Sequence, residues 1–386
     1  MHPHIPIPEL WWLAAGGASY GARYARHKVQ LVRTRARRSR LPDPTNELLR
    51  LQSQYGYNPH SLVSIAPGAA AWTTPGVDGA IIYGEFGHVW LAAGDPLAKP
   101  EDVDTLVLGF MRAAVRARRI VAFVPATDRF AREAVVLGLT AIKVGAAPYF
   151  ELDQWNPRGN SGKKIRAGVN QASRAGVKVE PIDSLDAALK QETAELCLHW
   201  LSKRRSATTF GWLLALDPFL RADLKRLYAA RDSQKRLVGL LAASPIPARE
   251  GWYLEDVLRE HNAPPGTPDL LIFEALQHLK AEGARIATLG TAPLAGEGED
   301  DLSTHDHPVI ERALHSAAKR LTPLYNFDGL RKFKGKFAPS WWESEYALVQ
   351  HGVMVPPKVA HAMVRAIVPG GLTQLLTRKA VQSLRS

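Results

Sequence analysis

The stretch from Tyr325 to Trp342 reads YNFDGLRKFKGKFAPSWW. Arg331, Lys332, Lys334 and Lys336 are interleaved with Phe327, Phe333 and Phe337, and Trp341 and Trp342 follow. Cations among aromatic rings suit a polyanion that also offers flat or apolar surface, such as a nucleic acid end or a lipid headgroup. Written as an extended strand, the stretch turns Lys334 and Lys336 to one face and Phe333 and Phe337 to the other. One face then enters a core while the other meets phosphate. A half-buried strand with solvated lysines has the same pattern, and composition alone does not separate the two.

A second basic stretch lies at 161–175. Ile165, Val169 and Ala172 form the apolar stripe of a helix, with Lys163, Lys164, Arg166 and Arg174 off the stripe. Gly176 suits the position just past its end. A solvated helix face satisfies this pattern as well as an anion-binding one. The formal charge of +12 favours anionic partners, nucleic acid or acidic lipid, without saying anything of fold. Cys197 is the only cysteine, so no intramolecular disulfide forms, in keeping with a reducing cytoplasm. Its setting, AELCLHWL, reads as a small core residue on a helix rather than a nucleophile. His305 and His307, within EGEDDLSTHDH, sit among glycine and acidic residues and read as a solvated loop. No metal site is expected.

The elements that would position these groups divide the 386 residues into two ordinary domains between two basic extensions. Residues 1–44 join an apolar, Trp-containing segment, too short to span a bilayer, to a run of arginines, which suits the interface of an anionic membrane or a disordered basic tail. Charge after the apolar run, not before it, argues against an export signal. In residues 45–180, a hairpin turning at Gly87 precedes a helix over 101–119, a strand over 120–124, a helix over 128–137 and a strand over 141–144. In 181–350, helices are expected at 183–204, capped by Asp183 or Ser184, and at 218–230. Strands follow at 237–244 and 251–257. Thr267 then caps a helix with Pro268 at its first position, and a strand covers 286–289. The last segment, 351–386, is basic and amphipathic and suits either a membrane surface or the core.

The pattern Y-N-F-x-G-L-R-x-F-K-x-K-F-x-P-x-W resembles the C-terminal signature of the bacterial aminoacyl-phosphatidylglycerol synthases, the lysyl-phosphatidylglycerol synthase or multiple-peptide-resistance family. Three further stretches match in order: AAGDPLAKP at 92–100, KKIRAGVNQASRAGVKV at 163–179, and the segment from Leu254 to Leu294. The resemblance covers roughly residues 48–350. It implies an α/β fold of tandem GNAT-like domains, each a mixed central sheet flanked by helices. The strand–strand–helix–strand order read from the second unit agrees. The long multi-helix membrane domain that usually precedes this unit is missing, so lipid translocation is not expected from this chain.

The implied reaction moves an aminoacyl group, lysyl or alanyl, from the 3′ ester of aminoacyl-tRNA to a glycerol hydroxyl of phosphatidylglycerol. This would occur on the inner face of the cell membrane. The ester is already activated, so no cofactor is implied beyond aminoacyl-tRNA as co-substrate. Asp256 and Arg259 match the family's Asp-x-x-Arg. The resemblance implies that Asp256 orients or deprotonates the attacking hydroxyl, or holds the donor's α-ammonium, and that Arg259 clamps a phosphate or fixes Asp256. It implies anion contacts for Arg331, Lys334, Lys336, Lys163, Lys164 and Arg166. Neither KVGAAPY at 143–149 nor Thr322 carries the acidic residues of the pattern, which leaves the amino acid open.

Two other classes compete. One is a transferase of similar fold acting on acyl-CoA or on a peptidoglycan precursor; the other is a non-catalytic membrane- or RNA-binding module. An acetyltransferase of this fold grips pyrophosphate with several glycines at a helix N-terminus. The corresponding loop here, HNAPPGTPDLL, holds only Gly266, followed by Thr267 as the expected cap, and its prolines have no N–H to offer. Aminoacyl-tRNA is therefore the expected donor.

Overall fold

The computed structural model describes residues 44–66, 69–160, 162–203, 217–302 and 327–350, with 358, 359, 362 and 363. The N-terminal arm, His305, His307, Thr322 and most of the C-terminal tail lie outside the described residues.

The chain begins with α1 (Pro44–Tyr55), α2 (Ser61–Ser64) and β1 (Ala70–Trp72). The expected hairpin at Gly87 follows as β2 (Gly79–Phe86) and β3 (Val89–Ala93), then the short β4 (Leu97–Ala98). Next come α3 (Pro100–Arg116), β5 (Ile120–Thr127), α4 (Asp128–Val136) and the long β6 (Leu139–Glu151). Val103, Leu106, Val107, Phe110 and Ala114 supply the buried stripe of α3 at helical spacing, and Pro100 starts it where no N–H is needed.

The basic helix is α5 (Lys163–Arg174), followed by β7 (Lys178–Pro181) and α6 (Ala187–Lys203). The cap of α6 is Asp186, whose Oδ1 accepts from the Leu189 N–H at 2.7 Å, in place of the expected Asp183 or Ser184. The expected helix at 218–230 is instead a short 3-10 turn, Ala222–Leu224, and a strand, β8 (Arg226–Arg231). Leu227 to Ala230 are all buried, and such a continuous run reads as helix or central strand by periodicity alone. Here β7 and β9 (Leu237–Ile246) flank it and claim its backbone. The chain continues through β10 (Gly251–Arg259), α7 (Thr267–Ala281), β11 (Ile286–Thr288), β12 (Ala292–Pro293), α8 (Phe327–Gly335) and β13 (Trp341–Gln350).

The central sheet runs β1-β2-β3-β5-β13-β6-β11-β10-β9-β8-β7, without interruption across the division at 180/181. The strand–strand–helix–strand order occurs twice, with β3 parallel to β5 and β10 parallel to β11. β13, from the end of the second unit, lies between β5 and β6 of the first and is antiparallel to both. Arg249 ties the units further. It donates to Glu343 of β13 at 2.9 Å and lies between the rings of Tyr57 and Tyr149, 4.7 and 4.2 Å from their centroids. Val359 and Ala362 of the tail are buried, and with Met363 they pack on Val89, Leu91 and Val349. That part of the tail packs on the core. Among the described residues no helix is long and apolar enough to cross a membrane.

Candidate active site

β10 and β11 stay in register over three pairs, ending at Tyr253 with Thr288. Beyond Tyr253, β10 continues to Arg259 and pairs, among the described residues, only with β9. The two parallel strands therefore part, and among the described residues no strand pairs with the freed edge of β10. A bulge falls at this point: Leu254 opposes Ala243, Asp256 opposes Ala242, and Glu255 is the extra residue. Asp256 shares its face with Leu258, which packs under α6 with Leu196 and Leu240. Glu255 accepts from the Ser244 hydroxyl at 2.7 Å and pairs with Lys225, whose side chain is almost wholly buried. The bulge thus gathers two consecutive carboxylates and one lysine on the α6 side of the sheet.

Burial holds the Asp256 carboxyl well above the usual carboxylate range, and the neighbouring Glu255 adds to it, against the pull of Lys225. The Cys197 thiol is pushed up by burial, then by Asp256 and Asp217. It lies partly buried on α6, packed against the cluster of Leu196, Leu240 and Leu258. Arg259 is three residues beyond Asp256, so strand alternation turns it to the other face, with Val257. It is exposed, and its Nη1 reaches the Glu260 carbonyl at 3.4 Å. Arg259 therefore does not fix Asp256.

The signature stretch departs from the expected strand. Its residues 327–335 form α8, which carries Phe333, and Phe337 follows in the turn just beyond it. Both rings join the core against α5 and α7. Lys334 is consequently buried instead of facing solvent. Its Nζ donates to the carbonyls of Leu289, Gly290 and Thr291 at 2.7, 2.8 and 2.7 Å, using all three ammonium hydrogens where β11 leaves β10. Burial pulls it down to about 7, with Glu345 acting the other way. Lys336 is also committed, to Asp269 at 2.5 Å and over the Phe333 ring at 4.3 Å. Arg331 pairs with Glu297 at 2.5 Å and Asp328 at 3.0 Å. None of the three stands open to phosphate as the strand reading expected.

Lys163 and Lys164 are exposed at the start of α5. Arg166 instead donates to the carbonyls of Pro157 and Gly159 and holds the preceding loop. At the start of α7, Gly266 is the cap, in the left-handed region at φ 86°. Thr267 is the first helical residue, and its hydroxyl donates to the Pro264 carbonyl at 2.6 Å, so it does not cap the helix N–H groups as expected. A Cβ on Gly266 would sit 2.1 Å from the Gly168 carbonyl oxygen, and one on Gly168 would sit 2.6 Å from Asp269 Cγ. α5 thus crosses the N-terminus of α7 backbone to backbone. Lys336 pairs with Asp269 in the first turn of α7, beside this contact.

Sequence reasoning missed Lys225, Glu255, Ser244 and Gly168, and a buried group around Gly290. His60 Nε2 lies 3.3 Å from Thr291 Oγ1, and its ring meets Tyr253 edge-on at 5.1 Å. Burial, with Lys334 nearby, pulls the imidazole down to about 4. The unfolded imidazole titrates near ~6.5. Between these values the unfolded chain binds a proton that the folded chain refuses. Stability therefore falls as pH drops through this window, by about 3 kcal/mol in all. Glu345, raised to about 7 by burial, acts with the opposite sign over part of the range. The comparison of His60→Gln with wild type cancels it. The variant is expected to gain about 3 kcal/mol on wild type between pH 7 and pH 4 in urea unfolding. A difference independent of pH would place the imidazole in water.

Two strand–strand–helix–strand units sharing one sheet define a tandem GNAT-like α/β architecture. The family described as "Phosphatidylglycerol lysyltransferase, C-terminal" matches residues 50–349, and the chain belongs to it. The phosphatidylglycerol lysyltransferase of Bacillus subtilis is 25% identical over 269 residues, covering 68% of this chain and 30% of that protein. That of Staphylococcus aureus strain COL is 21% identical over 294 residues, 75% and 34% of the two. The chain thus spans about a third of these relatives. Among solved structures, L-PGS from Bacillus licheniformis superposes with a TM-score of 0.70 at 19% identity, covering 83% of this chain and 96% of that one. A C-terminal DUF2156 domain from Agrobacterium fabrum gives 0.71 at 23%, covering 84% and 97%.

Proposed function

We propose that this protein transfers an aminoacyl group, lysyl or alanyl, from aminoacyl-tRNA to a glycerol hydroxyl of phosphatidylglycerol at the cytoplasmic membrane surface. The lipid hydroxyl oxygen attacks the ester carbonyl, and the bond from that carbon to the 3′ ribose oxygen breaks. Asp256 takes the proton of the attacking hydroxyl and returns it to the leaving ribose oxygen. A raised carboxylate is a stronger base than an ordinary one, which suits this role. Arg259, on the other face at the open end of β10, is assigned to a phosphate of donor or lipid. Lys163 and Lys164 are assigned to the tRNA backbone. Lys334 and Glu255 act as positioning residues, the first on the loop at Gly290, the second through the bulge. No cofactor takes part, because the ester carries its own activation. Esterification by lysine would turn an anionic lipid cationic.

The observation that carries the donor assignment is the packed N-terminus of α7. Gly266 lies against Gly168 and Lys336 pairs with Asp269 there, while α5 offers exposed lysines. The test incubates the protein and phosphatidylglycerol with either charged tRNA or acetyl-CoA, with and without ribonuclease, and identifies lipid products by mass spectrometry. Aminoacylated lipid that disappears with ribonuclease is the expected result. Ribonuclease-resistant transfer from acetyl-CoA would overturn the assignment.

A further inference from the structure

Among the described residues, three carboxylates have an enclosed oxygen with no hydrogen bond: Glu255, Glu297 and Glu345. Two of them have a cation in contact. Glu255 pairs with Lys225, and Glu297 pairs with Arg331 at 2.5 Å. Glu345 is 3% exposed, and no described ion pair reaches it. Thr291 bonds one of its oxygens and Oε2 is left over. The cation that acts on it, Lys334, spends its three ammonium hydrogens on the carbonyls of Leu289, Gly290 and Thr291. Glu343 and Asp95 add negative charge nearby. Arg249 answers the first, and donors from Asn58 and Thr127 answer the second.

The hydrogens on this group can be assigned. An ionised carboxylate only accepts, so the single Thr291 hydroxyl hydrogen goes to Glu345. Thr291 Oγ1 then accepts from Nε2 of a neutral His60, 3.3 Å away. The chain from His60 through Thr291 to Glu345 ends on an acceptor with nothing to receive, which burial makes costly. Protonation does not relieve it, because an O–H at Oε2 would lack an acceptor in turn. The group lies where β10 and β11 part. The His60 ring meets Tyr253, the last β10 residue paired with β11, and Thr291 is partly exposed.

We propose that Glu345 binds the α-ammonium of the amino acid being transferred, through the oxygen that Thr291 leaves over. Thr291 is the way in, since turning its side chain uncovers the carboxyl. A cation suits the place better than a neutral donor, because an enclosed carboxylate without an ion pair lacks charge as well as a hydrogen bond. The proposal rests on the reading that the donor is an aminoacyl ester. Its test uses neither tRNA nor lipid, so each can fail alone.

The experiment follows thermal unfolding of the full chain with L-alaninamide or L-lactamide, which differ by an amino against a hydroxyl group. At pH 7 the amine is mostly charged. Alaninamide should raise the Tm of wild type, and lactamide should need at least ~10-fold more for an equal rise. Glu345→Gln keeps the side-chain shape and should respond to the two alike. Glu345→Asp draws the charge back by one carbon. It should weaken the alaninamide response alone, which keeps the test open if the Gln variant does not fold. Asp256→Asn should discriminate as wild type does. Equal wild-type responses to both amides, or none to alaninamide, would overturn the proposal. So would discrimination lost in Asp256→Asn and kept in the Glu345 variants, which would give the ammonium to Asp256.

Discussion

Replacing Asp256 by Asn is expected to lower aminoacyl transfer at least ~100-fold with no loss of folding, because the carboxylate is proposed to act only on the moving proton. The amide keeps the shape of the side chain at the bulge and removes its basicity. Removing one of two adjacent carboxylates beside Lys225 also relieves repulsion, so the variant should be no less stable than wild type. The pH profile is the sharper readout. Wild-type transfer should fall on the acid side through a midpoint above the ordinary carboxylate range, since burial and Glu255 both raise Asp256. Residual transfer by the variant should lack that limb. Wild-type turnover in the variant, or an unchanged acid limb, would remove Asp256 from the chemistry.

The second large effect concerns stability. Lys334→Met should destabilise the protein by about 3–5 kcal/mol, as when one partner of a buried polar network is deleted. Three carbonyls would lose their donor, and Glu345, fully enclosed, would lose the nearest cation. Urea unfolding measures this directly. A loss under ~1 kcal/mol, accompanied by a flatter salt dependence of donor binding, would restore the phosphate-contact reading that the strand pattern suggested. The two outcomes exclude each other, because a lysine reaching out to solvent phosphate has no stability to withdraw.

These two residues mark what the sequence could reveal. Where local chemistry decides structure, the reading held: Gly87 turns its hairpin, and the stripe from Val103 to Ala114 makes its helix. It failed where distant partners decide. Leu227–Ala230 became strand because β7 and β9 lie on either side, which no periodicity within 218–230 announces. Lys334 looked like a surface cation because the carbonyls that claim it belong to residues more than forty positions earlier. Asp256 was visible only through its spacing to Arg259. That spacing suggested a pair, but the strand sends the two side chains to opposite faces, and the real companions, Glu255 and Lys225, follow from a bulge. Gly168 and Gly266 were legible as helix and loop glycines, not as the contact between two backbones.

The insertion of β13 between β5 and β6 also governs how the molecule comes into being. On the ribosome, β6 emerges about 190 residues before β13. At ~5–20 residues per second the first unit waits ~10–40 s with the facing edges of β5 and β6 bare, which is long compared with hydrophobic collapse. Folding as each half is made, first unit then second, leaves the place between β5 and β6 unfilled until β13 emerges. Its early half takes β13 into its sheet, and a nascent chain released near residue 180 exposes two strand edges that invite pairing with other chains.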